Sequence, residues 1–298
     1  MTNATAIIPP DMETLPKVSS WQRFRRVFLG RGLVFFGIVV VLIFILMAIF
    51  APWIAPYPPN KGDLDHTLEG PSRAHLLGTD ALGRDTLSRI IYGARVSLVV
   101  GVAVVLVSCV IGMTLGTLAG YYGGWVDIII MRIIDALMAF PMIILAMMMA
   151  SLMGNGIFNL VVALSVGSIT GYARVMYAIV LSSKESDYVI AARSLGANNF
   201  RIMFRHVFPN SFSPVIVLIT MMLGGVILAE ASMSFLGLGI KPPTPTWGNM
   251  INDGRQYLTS SPMLSFAPGI AIMLVVFAFN MVGDGLRDAL DPRLRGAL

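Results

Sequence analysis

The chain has 298 residues, of which 56% are hydrophobic and 12% charged, with a formal net charge of +5 and a mean hydropathy of +0.78. Soluble domains carry about 25% charged residues, so 16 acids and 21 Lys/Arg cannot coat a soluble protein of this size. One cysteine, Cys109, excludes a disulfide framework, and no dense basic tract points to nucleic acid.

A bilayer core of about 30 Å takes about 20 apolar helical residues. Residues 33–51 are charge-free and end at Pro52. They start too far from the N-terminus for a signal peptide and lack a clean A-x-A site, so they read as an uncleaved first span. Residues 52–95 form a long outer connection, proline-rich at its start, whose His66 and His75 read as solvated. Residues 96–119 fill a second span, where Gly112, Gly116 and Gly120 recur every four residues and let another helix approach closely.

The charge-free run 136–173 is too long for one helix. Gly154-Asn155-Gly156 divides it into spans near 128–153 and 157–172, the first kinked at Pro141. Arg132 and Asp135, three apart on one helix face, can neutralise each other. Arg174 is expected to snorkel to the membrane surface. A fifth span near 215–236 contains Glu230, which either faces a translocation path or bonds a neighbouring helix. The sixth lies near 263–282. The fold class is therefore an all-α integral membrane protein with six transmembrane helices.

An even span count puts both termini on one side. With the N-terminus inside, inner segments hold 14 Lys/Arg and outer segments 7, which favours cytoplasmic termini. The 20 methionines, Met147-Met148-Met149 included, read as adaptable apolar packing rather than metal ligands. All three histidines (His66, His75, His206) lie outside the spans, and no catalytic or metal motif occurs. None of the four lysines follows a glycine, so a phosphate loop is absent and any nucleotide energy comes from another chain.

The inner connection 182–213 is the most informative segment. Ser183, Glu185 and Asp187 suggest a helix start, and Tyr188, Ala191, Ala192 and Leu195 recur with helical period. Gly196 ends that helix, and Asn198 or Asn199 can cap another. Phe200, Met203, Phe204 and Val207 repeat the spacing until Pro209 stops it. Two such stripes suit either a partner's groove or this protein's own helix ends.

Ala191-Ala192, then Gly196, nine residues and His206-Val207-Phe208-Pro209 resemble the loop signature of binding-protein-dependent ABC importer permeases. Leu77-Gly78-Thr79-Asp80-Ala81-Leu82-Gly83-Arg84-Asp85 is similar to the segment before the second span in the dipeptide/oligopeptide/nickel branch. Ser234-Phe235-Leu236-Gly237-Leu238-Gly239 with Pro245-Thr246-Trp247-Gly248 resembles its outer loop, and Gly283-Asp284-Gly285-Leu286-Arg287-Asp288 its C-terminus. Together they resemble the second, C-type, permease subunit.

The resemblance implies a type I ABC importer permease fold: residues 1–92 as N-terminal arm, first helix and outer loop, 93–284 as the five-helix domain, and 285–298 as a cytoplasmic tail. It implies an ATPase coupling loop of Ala191, Ala192, Leu195, Gly196, Phe200, Phe204 and Pro209, while Glu230 is a candidate for the path as an ionisable residue within a span. Ile190 stands where the family loop carries a glutamate, so that carboxylate contact is not carried over. Implied partners are a homologous permease in a heterodimer, two ABC ATPase subunits that use ATP and Mg, an extracytoplasmic solute-binding protein and membrane lipid. This chain itself would bind no cofactor and perform no chemical step. Expected cargo is short peptides across a bacterial inner membrane, with nickel or another small solute as the alternative. An ion-coupled secondary transporter is the rival class; no clear internal repeat supports it.

Overall fold

The computed structural model describes residues 28 and 30–290. The N-terminal arm and the tail from 291, which carry part of the charge asymmetry and of the tail assignment, lie outside the described residues. The described residues are helical, with no named strand among them.

Helix α1 (Gly32–Ile49) holds no charge and buries only Val34, Gly37, Val40, Phe44 and Ala48. Its remaining large side chains, such as Leu33, Phe35 and Leu42, are exposed, the reverse of a soluble helix. After the short α2 (Ala51–Ile54), a looped segment leads to α3 (Thr86–Tyr122). This helix has 37 residues, about 55 Å, well beyond the span expected from 96 to 119. It starts earlier because Asp85 caps it, accepting from the Ser88 N–H at 2.8 Å. Arg95, the charge that bounded the expected span, lies well inside α3, and Arg89 before it is buried beside Asp80 and donates to the Pro59 carbonyl at 3.1 Å.

The third span is broken rather than kinked. Helices α4 (Gly124–Met138) and α5 (Met142–Met153) meet at 90°. Pro141 takes extended geometry (ψ 131°) as the residue before α5, and a proline disfavours helical geometry in the residue preceding it. Helix α6 (Ile157–Ser183) runs past Arg174, and α7 (Asp187–Ser194), α8 (Asn199–Ile202) and α9 (Phe208–Asn210) form the connection to α10 (Phe212–Phe235). The short α11 (Trp247–Gly254) precedes α12 (Met263–Leu290). Among the described residues five helices are long and apolar enough to cross a membrane, and the bent pair makes a sixth if it acts as one span.

Helices α3 and α6 make the most extensive contact. The glycine row is the reason. A Cβ on Gly112 would sit 2.6 Å from the Ile169 carbonyl oxygen, and one on Gly116 2.3 Å from that of Ala173. Apolar tails give helices no hydrophobic reason to pair, so close backbone approach supplies the contact. At the opposite end from the α7–α9 connection, Trp247 is fully buried, donates to the Ile90 carbonyl at 3.1 Å and meets Phe44 edge-on at 5.6 Å. It ties α11 to α1 and α3.

Candidate functional site

The α7–α9 connection is built from short, capped helices. Its first helix begins after Ser186, one turn later than Ser183, because α6 itself continues to Ser183. Asp187 lies in the first turn of α7, where a negative charge is favoured. Gly196 ends it at φ +80°, a conformation that favours glycine. Ala197 N–H bonds the Ala192 carbonyl at 3.1 Å and Gly196 N–H that of Arg193 at 3.0 Å, the paired closure of a helix ending in a left-handed residue. Asn198 then caps α8 through Arg201 N–H at 2.8 Å.

Pro209 does not stop the second helix. Met203–Val207 forms a π-helical turn, in which Phe208 N–H reaches back five residues to the Met203 carbonyl. That turn absorbs the register change, and Pro209 falls in the first turn of α9, where its missing N–H costs least. The widened turn also splits the predicted stripe. Met203 and Val207 are buried with Ile202, whereas Phe200 and Phe204 turn outward, their ring centroids 4.5 Å apart.

In α7 only Val189 is buried, so the predicted stripe faces out. Ala191 and Pro209 are exposed and Ala192 is half-buried. Tyr188, Ile190, Leu195, Phe200 and Phe204 are 40%, 54%, 88%, 66% and 54% exposed, so large apolar side chains stand uncovered along this segment. Beneath it, Tyr121 donates to Asn199 Oδ1 at 2.9 Å, and Lys184 Nζ donates to the Gly120 carbonyl at 3.2 Å. Both tie this segment to the end of α3. Beside it a cleft of about 690 Å³ opens between α6, α10 and α12, lined by Val175, Pro209, Val217, Met221 and Arg287.

The membrane-embedded charges differ from expectation. Asp135 pairs across to Arg174 rather than with Arg132, and Arg174 therefore reaches sideways to α4 instead of toward the helix end. Glu230 does not face an open path. It is fully buried between α3 and α10, accepting from Ser97 Oγ and Ser234 Oγ, each at 2.8 Å. The two hydroxyls satisfy both carboxyl oxygens, which makes it a tie between helices. Glu230→Gln should keep both contacts and leave uptake within about twofold of wild type; a collapse of initial rates in membrane vesicles would restore it to the path.

The opposite end carries residues that sequence reasoning passed over. His75 is not solvated: its Nδ1 lies 2.9 Å from Asp85 and its ring 4.8 Å from Tyr57. His66 is exposed, and its bond to Asp63 holds it above the ordinary histidine value. Asp80 binds Arg84 at 2.7 Å and approaches Arg89 at 3.6 Å. With Asp253 and Tyr257 these groups line a cavity of about 320 Å³, where burial pushes the Asp253 carboxyl up against the opposing pull of both arginines. The Asp85-to-Ser88 spacing of a helix cap was the available signal.

Residues 112–296 match the family model described as binding-protein-dependent transport system inner membrane component. Residues 19–71 match the N-terminal transmembrane domain of oligopeptide transport permease C. The glutathione transport system permease protein GsiD of Pectobacterium atrosepticum is 46% identical, over 95% of this chain and 97% of the relative. GsiD of Escherichia coli is 44% identical over 99% and 96%, respectively. The dipeptide transport system permease protein DppC of Alkalihalophilus pseudofirmus is 42% identical over 96% and 94%. With its long apolar helices and one exposed apolar projection, the chain belongs to the binding-protein-dependent inner membrane components, as a C-type, multi-pass permease subunit of an ABC importer and not an enzyme.

Proposed function

We propose that this permease forms half of a translocation path for short peptides, paired as a heterodimer with a homologous permease. The α7–α9 projection seats in two-subunit ATPase machinery through Ala191, Ala192, Leu195, Gly196, Phe200, Phe204 and Pro209. The observation that carries this reading is the apolar display itself: Leu195, Phe200 and Phe204 stand largely exposed on a segment braced to α3. Apolar helices of this size are suited to a groove in a partner.

The projection's end is then the cytoplasmic end, with both termini there, and ATP with Mg is consumed on the partner chains. An extracytoplasmic binding protein delivers cargo to the opposite end. The names of the relatives, for glutathione and dipeptide transport, support peptide cargo. Closure of the ATPases pushes the projection, and the permease pair shifts between two states biased by nucleotide.

The complete system in proteoliposomes, offered labelled dipeptides, glutathione and nickel, tests this reading. The expected result is ATP-dependent accumulation of peptides. Uptake that runs without ATPase subunits and collapses with an ion gradient would overturn the importer mechanism for this chain. Accumulation of nickel in place of peptides would overturn the cargo.

A further inference from the structure

The cavity of about 320 Å³ at the end opposite the α7–α9 connection has no part in coupling, and its wall carries an uneven balance of charge. Arg84 and Arg89 both line it, with 8% and 2% of their surface exposed. Buried guanidiniums are costly unless each is paired and its donors are met. Here one buried carboxylate serves two of them. Asp80 Oδ1 is committed to its own turn, accepting from the Leu82 and Arg84 N–H groups at 2.9 and 3.0 Å, and Oδ2 accepts from Arg84 Nε at 2.7 Å. Arg89 Nε lies 3.6 Å from that same Oδ2, beyond hydrogen-bond range, and its Nη1 donates to the Pro59 carbonyl. Among the described residues, both Nη atoms of Arg84 and Nη2 of Arg89 make no hydrogen bond.

Two further observations bear on what the cavity takes. Thr86, on its wall at the start of α3, is 1% exposed, and its Oγ1 has no hydrogen-bond partner. A buried hydroxyl left unpartnered is rare in a folded protein and marks a place where a polar group is missing. Asp253, also on the wall, is exposed to solvent and near enough to both arginines to feel their charge. The ion pairs of those arginines among the described residues are nonetheless with Asp80 alone. The buried side therefore sets two positive charges against one negative, with donors to spare, around a space in the size range of small-ligand pockets.

We propose that this cavity is a binding site for the carboxylate of a small organic acid, from amino acid to dipeptide in size, gripped by Arg84 and Arg89 with the Thr86 hydroxyl as a further donor. A guanidinium presents its N–H groups in a planar fork that matches the two oxygens of a carboxylate, and such charge-assisted bonds are about twice as strong as neutral ones. The ligand supplies the second negative charge that the buried wall lacks, and Asp253 is its resident competitor. Substitutions at Arg84 and at Asp253 therefore act in opposite directions, which a purely structural cluster does not produce. The site lies within one chain, so it stands whichever cargo the importer carries.

Equilibrium dialysis of labelled Ala-Ala, and separately of labelled inorganic phosphate, against the purified importer complex without binding protein tests this. Wild type should bind Ala-Ala and be competed by unlabelled Ala-Ala far better than by its C-terminal amide. Arg84→Gln should weaken binding about tenfold and Thr86→Val about threefold, the sizes of a lost charged and a lost neutral hydrogen bond. Asp253→Asn should strengthen it, because the competing charge is gone. Leu82→Trp fills the cavity's edge from an exposed position and should block binding without disturbing the fold. If Arg84→Gln does not accumulate, Leu82→Trp and Asp253→Asn decide the matter. Equal competition by the amide would show that no carboxylate is read and overturn the proposal. Binding of phosphate without Ala-Ala would make this an inorganic-anion site and overturn it likewise. Ala-Ala binding that none of these variants alters would place the ligand elsewhere, and equal loss in Arg84→Gln and Asp253→Asn would make the cluster structural; either result sinks the assignment.

Discussion

Replacing Gly116 with valine should abolish accumulation of folded protein in the membrane. A Cβ there would lie 2.3 Å from the Ala173 carbonyl oxygen, 2.9 Å from the Tyr177 nitrogen and 3.0 Å from the Met176 Cβ. The first two are backbone atoms of α6, which no rotamer change can move aside. Overpacking a tight contact costs about 1–3 kcal/mol and more where the backbone must shift. Here the shift would separate the helix pair on which the larger apolar cluster is built, with Val104, Leu164, Tyr172 and Met176 in it. Gly225→Ala is the matched control, since nothing lies within 4 Å of its added carbon. Protein level in membranes and melting in detergent provide the measure. Wild-type melting of Gly116→Val would mean that α3 and α6 do not pack through this row.

The second large effect falls on coupling. A triple variant, Leu195→Asp with Phe200→Ser and Phe204→Ser, should lose co-purification with the ATPases and more than tenfold of ATP-driven uptake. Apolar anchors at the centre of an interface commonly carry 2 kcal/mol or more each. Its own folding should change little, because all three side chains are largely exposed in the chain and exposed substitutions stay within about 0.5 kcal/mol each. Gly196→Val should reach a similar loss by another route: its φ of +80° resists a branched side chain, and the angle between α7 and α8 is set there. Retained co-purification and uptake in the triple variant would show that this face is not where the ATPases bind.

Much of the architecture was legible along the chain, because a membrane imposes length and apolarity on each crossing segment. The glycine row, the Gly196 elbow and the Asn198 cap follow from local stereochemistry, and each appears where residue type and spacing put it. Helix ends were less legible. Arg95 and Arg174 looked like boundaries because a charge in an apolar run signals the membrane edge, yet both helices continue through them. The partners that let arginines sit within these helices, the Pro59 carbonyl with Asp80 for Arg89 and Asp135 for Arg174, lie on other segments, and only folding brings them close.

The same limit governs the site. Periodicity alone marked apolar stripes at 188–195 and 200–207 but could not say whether they faced inward or outward. A π-helical turn, invisible to a 3.6-residue pattern, decides that Met203 and Val207 go in while Phe200 and Phe204 go out. Glu230 was conspicuous as a lone acid in an apolar run, and the hydroxyls of Ser97 and Ser234 turn it from a path candidate into a helix tie. By itself, then, the sequence determined a membrane-embedded, all-helical chain with two short helices in one inner connection, because hydropathy, capping and glycine spacing act locally; that it is a permease came from its resemblance to a family. Tertiary structure alone decided which charges pair, where the third span breaks and which apolar face remains open. Those outcomes depend on contacts between residues that only the packed helices bring together.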